Sequence, residues 1–380
     1  MRSIGQMIRE NMVLFLAWTA ALVSMIAVPP TAAYAGYINM PVLAVLFCLM
    51  IVIGGLRESG VFAAVLARLL LRLDTMRQLA AVLIFACFFV SMWVTNDVSL
   101  LTFVPFSLMA LPRISREKQM ALVIVLQTLA ANLGSMCTPV GNPQNLYLYF
   151  YYGMDLVTFL ELLLPYTLVS FVLLALSVFL LPGTPIPVSV RLAARRTRNM
   201  PVLAPPRQLW LLGGMFFLSL LTVAHVLDYR LTLAMVAVVT FLTRPQYFRY
   251  VDYRLLGTFV AFFVLIGNMS QLTAFREILT GYLAGHEFLI ALTASQIISN
   301  VPAAVLLSGF TGNAGALLLG TDIGGLGTLV ASMASLISYG MFVRACPRWQ
   351  GWYLKLFTLL NLAYLLVLVL FVWFCHQMGL

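Results

Sequence analysis

Apolar residues run along this chain in long blocks, closed by charge or by Gly/Pro punctuation, without a two-residue alternation or a heptad repeat. Blocks of this kind, rich in Leu, Phe and Val, predict membrane-crossing helices rather than barrel strands, because a crossing helix needs about 20 apolar residues. Uninterrupted spans are predicted at 11–29, 40–55, 157–181, 209–226, 231–243, 257–276 and 353–375. Residues 57–77 place Arg68, Arg72 and Asp74 among leucines and alanines, which predicts an amphipathic helix lying in the interface. Two blocks are broken in the middle. Residues 79–112 are interrupted at Thr95-Asn96-Asp97, and residues 287–310 at Ser299-Asn300-Val301-Pro302. Polar groups at that depth cost on the order of several kcal/mol unless protein, water or an ion satisfies them. Each broken block is therefore expected to form a re-entrant helical hairpin with the polar residues at its tip.

Two more helices are interrupted by glycine and proline. The first, over 119–152, breaks between Gly134 and Asn145, and the second, over 314–343, between Gly320 and Thr328. The expected fold is an all-α polytopic membrane protein: about nine full spans, two re-entrant helical hairpins, and an inverted repeat with two broken helices.

Charge sets the expected orientation. Segments 56–78, 113–118, 182–208, 244–256 and 344–355 all carry Arg or Lys, whereas loops 30–39 and 153–156 carry neither. With the basic segments inside, the N-terminus is cytoplasmic and the C-terminus outside. The hairpins then enter from opposite faces. That predicts a first half over 1–181, a basic loop and linking span over 182–230, and an inverted second half over 231–380. Thr95-Asn96 matches Ser299-Asn300, and Leu133-Gly134-Ser135 with Gly141 matches Leu319-Gly320-Thr321 with Gly327 at equal spacing. Inverted repeats with broken helices are a secondary-transporter architecture.

Composition agrees and excludes much else. Of 380 residues 62% are hydrophobic and 9% charged, against about 25% charged in soluble domains. The formal charge of +10 sits in short segments between spans, which is topology signal and argues against a nucleic-acid partner; the Arg191, Arg195, Arg196 and Arg198 loop would also meet anionic lipid. The five cysteines and three histidines form no metal-ligand or catalytic spacing, so neither a cofactor nor an enzyme is expected. Arg2, Arg9 and the apolar run that follows imitate a signal peptide, but the run is long enough to be retained as a span.

The four breaks carry the candidate chemistry. A broken helix exposes N–H groups at one end and carbonyls at the other. The N–H ends suit a carboxylate or oxyanion, while carbonyls, amides and hydroxyls suit Na+. Asp97 and Asp322 are the acids placed deep in the membrane, one in each half. A carboxylate there suits a proton- or Na+-coupling site, and it equally suits the cap of a half-helix. Gln144 and Asn145 either line a pore or cap the helix that follows. Asn268, Ser270 and Gln271 are expected to bond between helices, and the run Tyr147, Tyr149, Phe150, Tyr151 and Tyr152 to form an interfacial belt.

Paired Ser/Thr-Asn tips, Thr138-Pro139-Val140-Gly141-Asn142 after the first and Asn300-Val301-Pro302 in the second resemble the ion transporter superfamily. That group includes divalent anion/sodium symporters, citrate-type permeases, arsenite permeases and one class of sodium/proton antiporters. The resemblance covers nearly the whole chain in order. It implies that Thr95, Asn96, Asp97, Ser299 and Asn300 hold substrate and ion at the tips. By the same resemblance Ser135, Thr138, Gly141, Asn142, Gln144 and Asn145 complete one pocket, and Thr321, Asp322, Gly324, Gly327 and Thr328 the other. Na+ would lie near Asn96, Asp97, Asn300 and Asp322. Asp97 and Val301 stand where the anion symporters carry a hydroxyl, which brings the first tip closer to the arsenite permease and antiporter branches. The resemblance implies a multi-pass inner (plasma) membrane transporter, often dimeric. It would move a small inorganic or carboxylate anion with Na+ or H+, or exchange sodium for protons through the two aspartates.

Overall fold

The computed structural model describes residues 12–70, 73–111, 117–186 and 203–378. Arg2, Arg9, Arg72, Arg113, Arg116 and the Arg191–Arg198 cluster lie outside them. The described residues are almost entirely helical and hold no strand beyond an isolated bridge between Thr75 and Pro185. The first half contains α1 (Met12–Ala27), α2 (Tyr34–Tyr37), α3 (Met40–Glu58), α4 (Val61–Leu70), α5 (Met76–Val94), α6 (Asn96–Ala110), α7 (Glu117–Ser135), α8 (Pro143–Tyr151) and α9 (Leu156–Phe179). Then follow α10 (Pro206–Val223), α11 (Tyr229–Thr243), α12 (Tyr253–Gln271), α13 (Thr273–Leu283), α14 (Glu287–Ile298), α15 (Asn300–Ser308), α16 (Ala314–Gly324), α17 (Met333–Ala345) and α18 (Gln350–Met378).

Side chains at the helix starts explain several boundaries. Thr75 and Gln78 form a reciprocal capping box on α5. Asn39, Asp155, Asp252 and Asn313 accept first-turn N–H groups of α3, α9, α12 and α16, satisfying donors that have no intrahelical partner. At Asp155 the Thr158 hydroxyl, the Thr158 N–H and the Val157 N–H hold the carboxyl below the usual aspartate range.

Two pairs of helices pack so closely that only glycine fits between them. A Cβ on Gly134 of α7 would lie 2.1 Å from the Phe88 carbonyl oxygen of α5. On Gly320 of α16 it would lie 2.6 Å from the Phe288 carbonyl oxygen of α14. Each hairpin is thereby seated backbone-to-backbone on the broken helix of its own half.

Among the described residues six helices are long and apolar enough to cross a membrane: α3, α5, α9, α10, α12 and the segment ending with α18. The chain is thus a multi-pass helical membrane protein. Several boundaries differ from those expected. The predicted 257–276 span ends at Gln271, and α13 follows as a separate helix after the extended Leu272. Phe275, Leu279 and Leu283 of α13 face the core while Arg276, Glu277 and Tyr282 are exposed, so its apolar stripe suits an interface better than a span. The predicted 57–77 helix divides between the end of α3, α4 and the start of α5. The first hairpin arm, α5, is 19 residues long, about the length of a crossing helix, whereas α14 and α15, of 12 and 9 residues, are too short to cross. The aromatic run is not a belt: Tyr147 and Tyr149 are fully buried, because α8 is packed inside the core. Asn268 and Gln271 do bond between elements, to Ser24 Oγ (2.9 Å) and Tyr37 Oη (2.6 Å), while Ser270 bonds back to Ile266.

Segments that carry charge meet in pairs. Ala204 N–H donates to the Ser59 carbonyl, Met76 N–H to Thr184, and Arg77 Nε to Leu181. Tyr250 Oη reaches Glu58, and Lys118 lies over the Trp349 and Trp352 rings.

Candidate ion and substrate site

Both hairpins reverse through a single residue. Thr95 has φ 72° and ψ 149°, and Ser299 has φ 74° and ψ 153°. These are left-handed backbones that residues with a Cβ rarely adopt, at a cost of order 1–3 kcal/mol each. The tips are built alike beyond this point. Asn96 Oδ1 accepts the next N–H, that of Asp97, at 2.9 Å, and Asn300 Oδ1 accepts that of Val301 at 3.0 Å. Both asparagines are buried at the N-terminus of a helix, α6 or α15.

Each tip is tied to the break it faces. Asn96 N–H donates to the Gly141 carbonyl (3.2 Å), and the Thr138 hydroxyl donates to the Met92 carbonyl. Asn145 Nδ2 bridges the first break to the Met136 carbonyl (3.3 Å). At the second tip Ser299 Oγ lies 3.4 Å from the Ala331 carbonyl. The second break is organised by Gln296. Its Nε2 approaches the carbonyls of Gly324 (2.7 Å), Leu326 (2.9 Å) and Leu292 (3.3 Å), and its Oε1 accepts the Thr328 N–H (2.9 Å). Gly327, at φ 103°, makes room, since a Cβ there would lie 2.4 Å from Gln296 Oε1.

Asp322 connects the halves. It is buried, and its Oδ1 accepts from Gln144 Nε2 (3.3 Å) and Asn142 Nδ2 (3.5 Å), which lie 178 and 180 residues earlier in the chain. Its Oδ2 has no partner, and neither do Asn142 Oδ1 and Asn145 Oδ1. One oxygen of a buried carboxylate and two amide oxygens of neighbouring residues, all acceptors, therefore lack donors. A hard cation coordinated by oxygen, or a proton on the carboxyl, is the chemistry that such a donor-poor set accepts. Asp97 Oδ1 is likewise buried and unpartnered.

A second link between the halves was not expected. Asn132 Oδ1 accepts from Asn96 Nδ2 (3.0 Å) and from Ser332 Oγ (3.1 Å), and its Nδ2 lies 3.5 Å from Ser335 Oγ. One turn away, Thr128 Oγ1 donates to Ser338 Oγ (2.8 Å), and Ser338 meets the buried Tyr353 hydroxyl (3.2 Å). Asn132 and Gln296 carry a sequence signal, a side-chain amide in an apolar helix just before a predicted interruption, but their partners lie about 200 and 30 residues away.

The structure thus brings Asn96, Gly141, Asn142, Gln144, Asn145, Ser299, Asn300 and Asp322 into one contiguous cluster. Gly325 touches the second tip, since a Cβ there would lie 3.0 Å from Asn300 Nδ2. Other expected hydroxyls are engaged locally. Ser135 donates to Asn132 (2.9 Å), Thr321 to Leu317 (2.9 Å), and Thr328 to the Gln296 carbonyl (3.0 Å). In this arrangement they shape the breaks, and Gly324 contributes a carbonyl held by Gln296.

Comparison with known proteins agrees with this geometry. A family model described as citrate transporter matches residues 6–316. An uncharacterized transporter of Methanocaldococcus jannaschii is 30% identical over 297 residues, covering 77% of this chain and 78% of that protein. The inner membrane protein YbiR of Escherichia coli is 29% identical over 297 residues, covering 77% of each. A silicon efflux transporter of Oryza sativa is 33% identical over 135 residues, 35% of this chain and 27% of that protein. The matched residues include both hairpin tips and the whole of the first break, and the Methanocaldococcus jannaschii and Oryza sativa relatives are transporters; this chain belongs to the citrate transporter family.

Proposed function

We propose that the protein is a secondary active transporter that moves a small anion or oxyanion across the inner membrane, coupled to Na+ or H+. The observation that carries this is the acceptor excess at Asp322: a buried carboxylate whose neighbours leave Asn142 Oδ1, Asn145 Oδ1 and its own Oδ2 without donors. A coupling cation at the carboxylate compensates its charge and is the kind of partner these acceptors lack. The anion is held beside it by the positive dipole ends of α6 and α15, which begin at the two tips. Support for a small oxygen-rich substrate comes from the citrate description of the family model and from the silicon-transporting relative. Support for the inner membrane comes from the Escherichia coli relative.

Each hairpin with its own break forms a rigid unit, tied through Thr138–Met92 and Asn96–Gly141 in one half and through Gln296 in the other. Bonds between the units gather at a few places: Asp322 to Asn142 and Gln144, Asn132 to Ser332 and Ser335, Thr128 to Ser338, and Tyr147 and Tyr152 to the end of the second hairpin. We also read α5–α6 and α14–α15 as re-entrant hairpins of an inverted repeat; the polar tips and the short arms α14 and α15 support re-entrance, and the basic segments support entry from the inside and the outside respectively. Alternating access follows from movement of these units against α3, α10, α11 and α12. Cation occupancy at Asp322 tightens the joint between halves, so binding and movement are coupled at the same residue.

A second reading is sodium/proton antiport through Asp97 and Asp322. One observation favours it: the contiguous cluster contains no Lys or Arg to hold an anion. Uptake into proteoliposomes under an imposed Na+ or H+ gradient decides between them, scanning sulfate, citrate, dicarboxylates, arsenite and silicic acid. Gradient-driven accumulation of one of these supports symport. Sodium–proton exchange with no solute accumulated would sink it.

A further inference from the structure

Away from the central cluster, a cavity of about 460 Å3 opens at the base of the second hairpin. At about 30 Å3 per water it holds roughly fifteen waters, or a small ligand with part of its hydration shell. Its polar wall comes from three places: Tyr151 and Tyr152 at the end of α8, Arg276 and Thr280 on α13, and Glu287 and Thr311 at the two ends of the hairpin. Part of this wall is fixed. The Tyr152 hydroxyl lies 2.9 Å from the Thr311 carbonyl and 3.2 Å from that of Ser308, and the Thr311 hydroxyl lies 3.4 Å from Glu287 Oε1. Arg276 is different. It lines the same cavity as Glu287, yet its guanidinium is in no ion pair or hydrogen bond among the described residues.

A guanidinium offers a planar fork of donors that matches a carboxylate or oxyanion. An ionised carboxylate only accepts, so across the cavity Glu287 welcomes an O–H and repels a bare anionic oxygen. Together they complement a small oxyacid that carries a charged oxygen at one end and retains an O–H at the other. We propose that this cavity is a second binding site, distinct from the central cluster, for a small oxyanion that keeps an O–H group. It rests on the proposed transport of an oxyanion for its role, which is to collect substrate on the face where the second hairpin opens. Glu287 and Thr311 belong to the hairpin and Tyr152 is bonded to its end, whereas Arg276 stands on α13, so movement of the hairpin against α13 opens or closes the site.

The test uses two dianions of the same tetrahedral shape, hydrogen phosphate and sulfate, of which only the first keeps an O–H. Binding to the purified full chain is measured by calorimetry at equal ionic strength. The wild type is expected to bind hydrogen phosphate several-fold more tightly than sulfate. Arg276→Gln should weaken both about tenfold, and Glu287→Gln should remove the preference while binding persists. Melting curves check that these substitutions, on exposed and half-buried side chains, leave the protein folded. Equal wild-type affinity for the two ions, no binding of either, or phosphate binding unchanged in Arg276→Gln overturns the site. Anion-free sodium–proton exchange in proteoliposomes would instead remove the transport role and leave the binding result standing.

Discussion

Replacing Gln296 by Met keeps the length of the side chain and removes its amide. Two buried carbonyls, of Gly324 and Leu326, then lose their donor, and the Thr328 N–H loses its acceptor. An orphaned buried carbonyl costs roughly 1–3 kcal/mol, so the pair amounts to about 2–6 kcal/mol. Thr328 is exposed and turns to water. Relaxation of a glycine-rich loop recovers part of the loss, which places the net cost near the lower half of that range. The consequence is local opening of the second break, because Thr328 Oγ1 also caps the Ala331 N–H at 3.2 Å. Hydrogen exchange at Thr328 and Ala331 is expected to accelerate by roughly 30- to 1000-fold, since each 1.4 kcal/mol is about a factor of ten. Transport should fall with it. Gln296→Glu should not rescue, because a carboxylate accepts from Thr328 but has nothing to donate to the carbonyls. Native exchange rates at both amides in Gln296→Met, with full transport, would refute the assignment.

Three further outcomes follow from the geometry. Gly134→Ala puts a Cβ 2.1 Å from the Phe88 carbonyl oxygen, where backbone must move, so it should destabilise by about 1–3 kcal/mol or more; Gly213→Ala, with nothing within 4 Å, should be neutral or mildly stabilising in the same melting assay. Asp322→Asn should leave the protein folded and even more stable, because the new amide donates to oxygens now orphaned, yet abolish cation-coupled transport, and Asp97→Asn should do the same to coupling; a variant that keeps full coupling removes that aspartate from the site. Asp155→Ala should lower the melting temperature at neutral pH. Its folded carboxyl is held below the usual value of about 3.9, so the stabilisation is present above that value and is lost as pH falls through the lower folded one; a gap between the two melting temperatures that persists below that range would count against the cap.

The polar breaks were legible in the chain because a bilayer makes their signal local. Thr95-Asn96-Asp97 and Ser299-Asn300 stand out in apolar blocks whatever they touch, and the glycines at 134 and 320 are spaced identically from Gly141 and Gly327. Family, helical class and the position of both tips were readable for that reason. Helix ends set by packing were not. No punctuation marks Leu272, and α8 looks like an interfacial belt until its tyrosines are found inside the core. The partners of the site lay further out of reach. Gln144 is 178 residues from Asp322, and Asn132 is 200 from Ser332. Sequence alone determined that polar groups must be paid for at four breaks in apolar segments. Only the tertiary structure decided which group answers which, because hydrogen bonds between halves depend on how the hairpins seat on the broken helices, and that seating is a property of packed surfaces rather than of neighbouring residues.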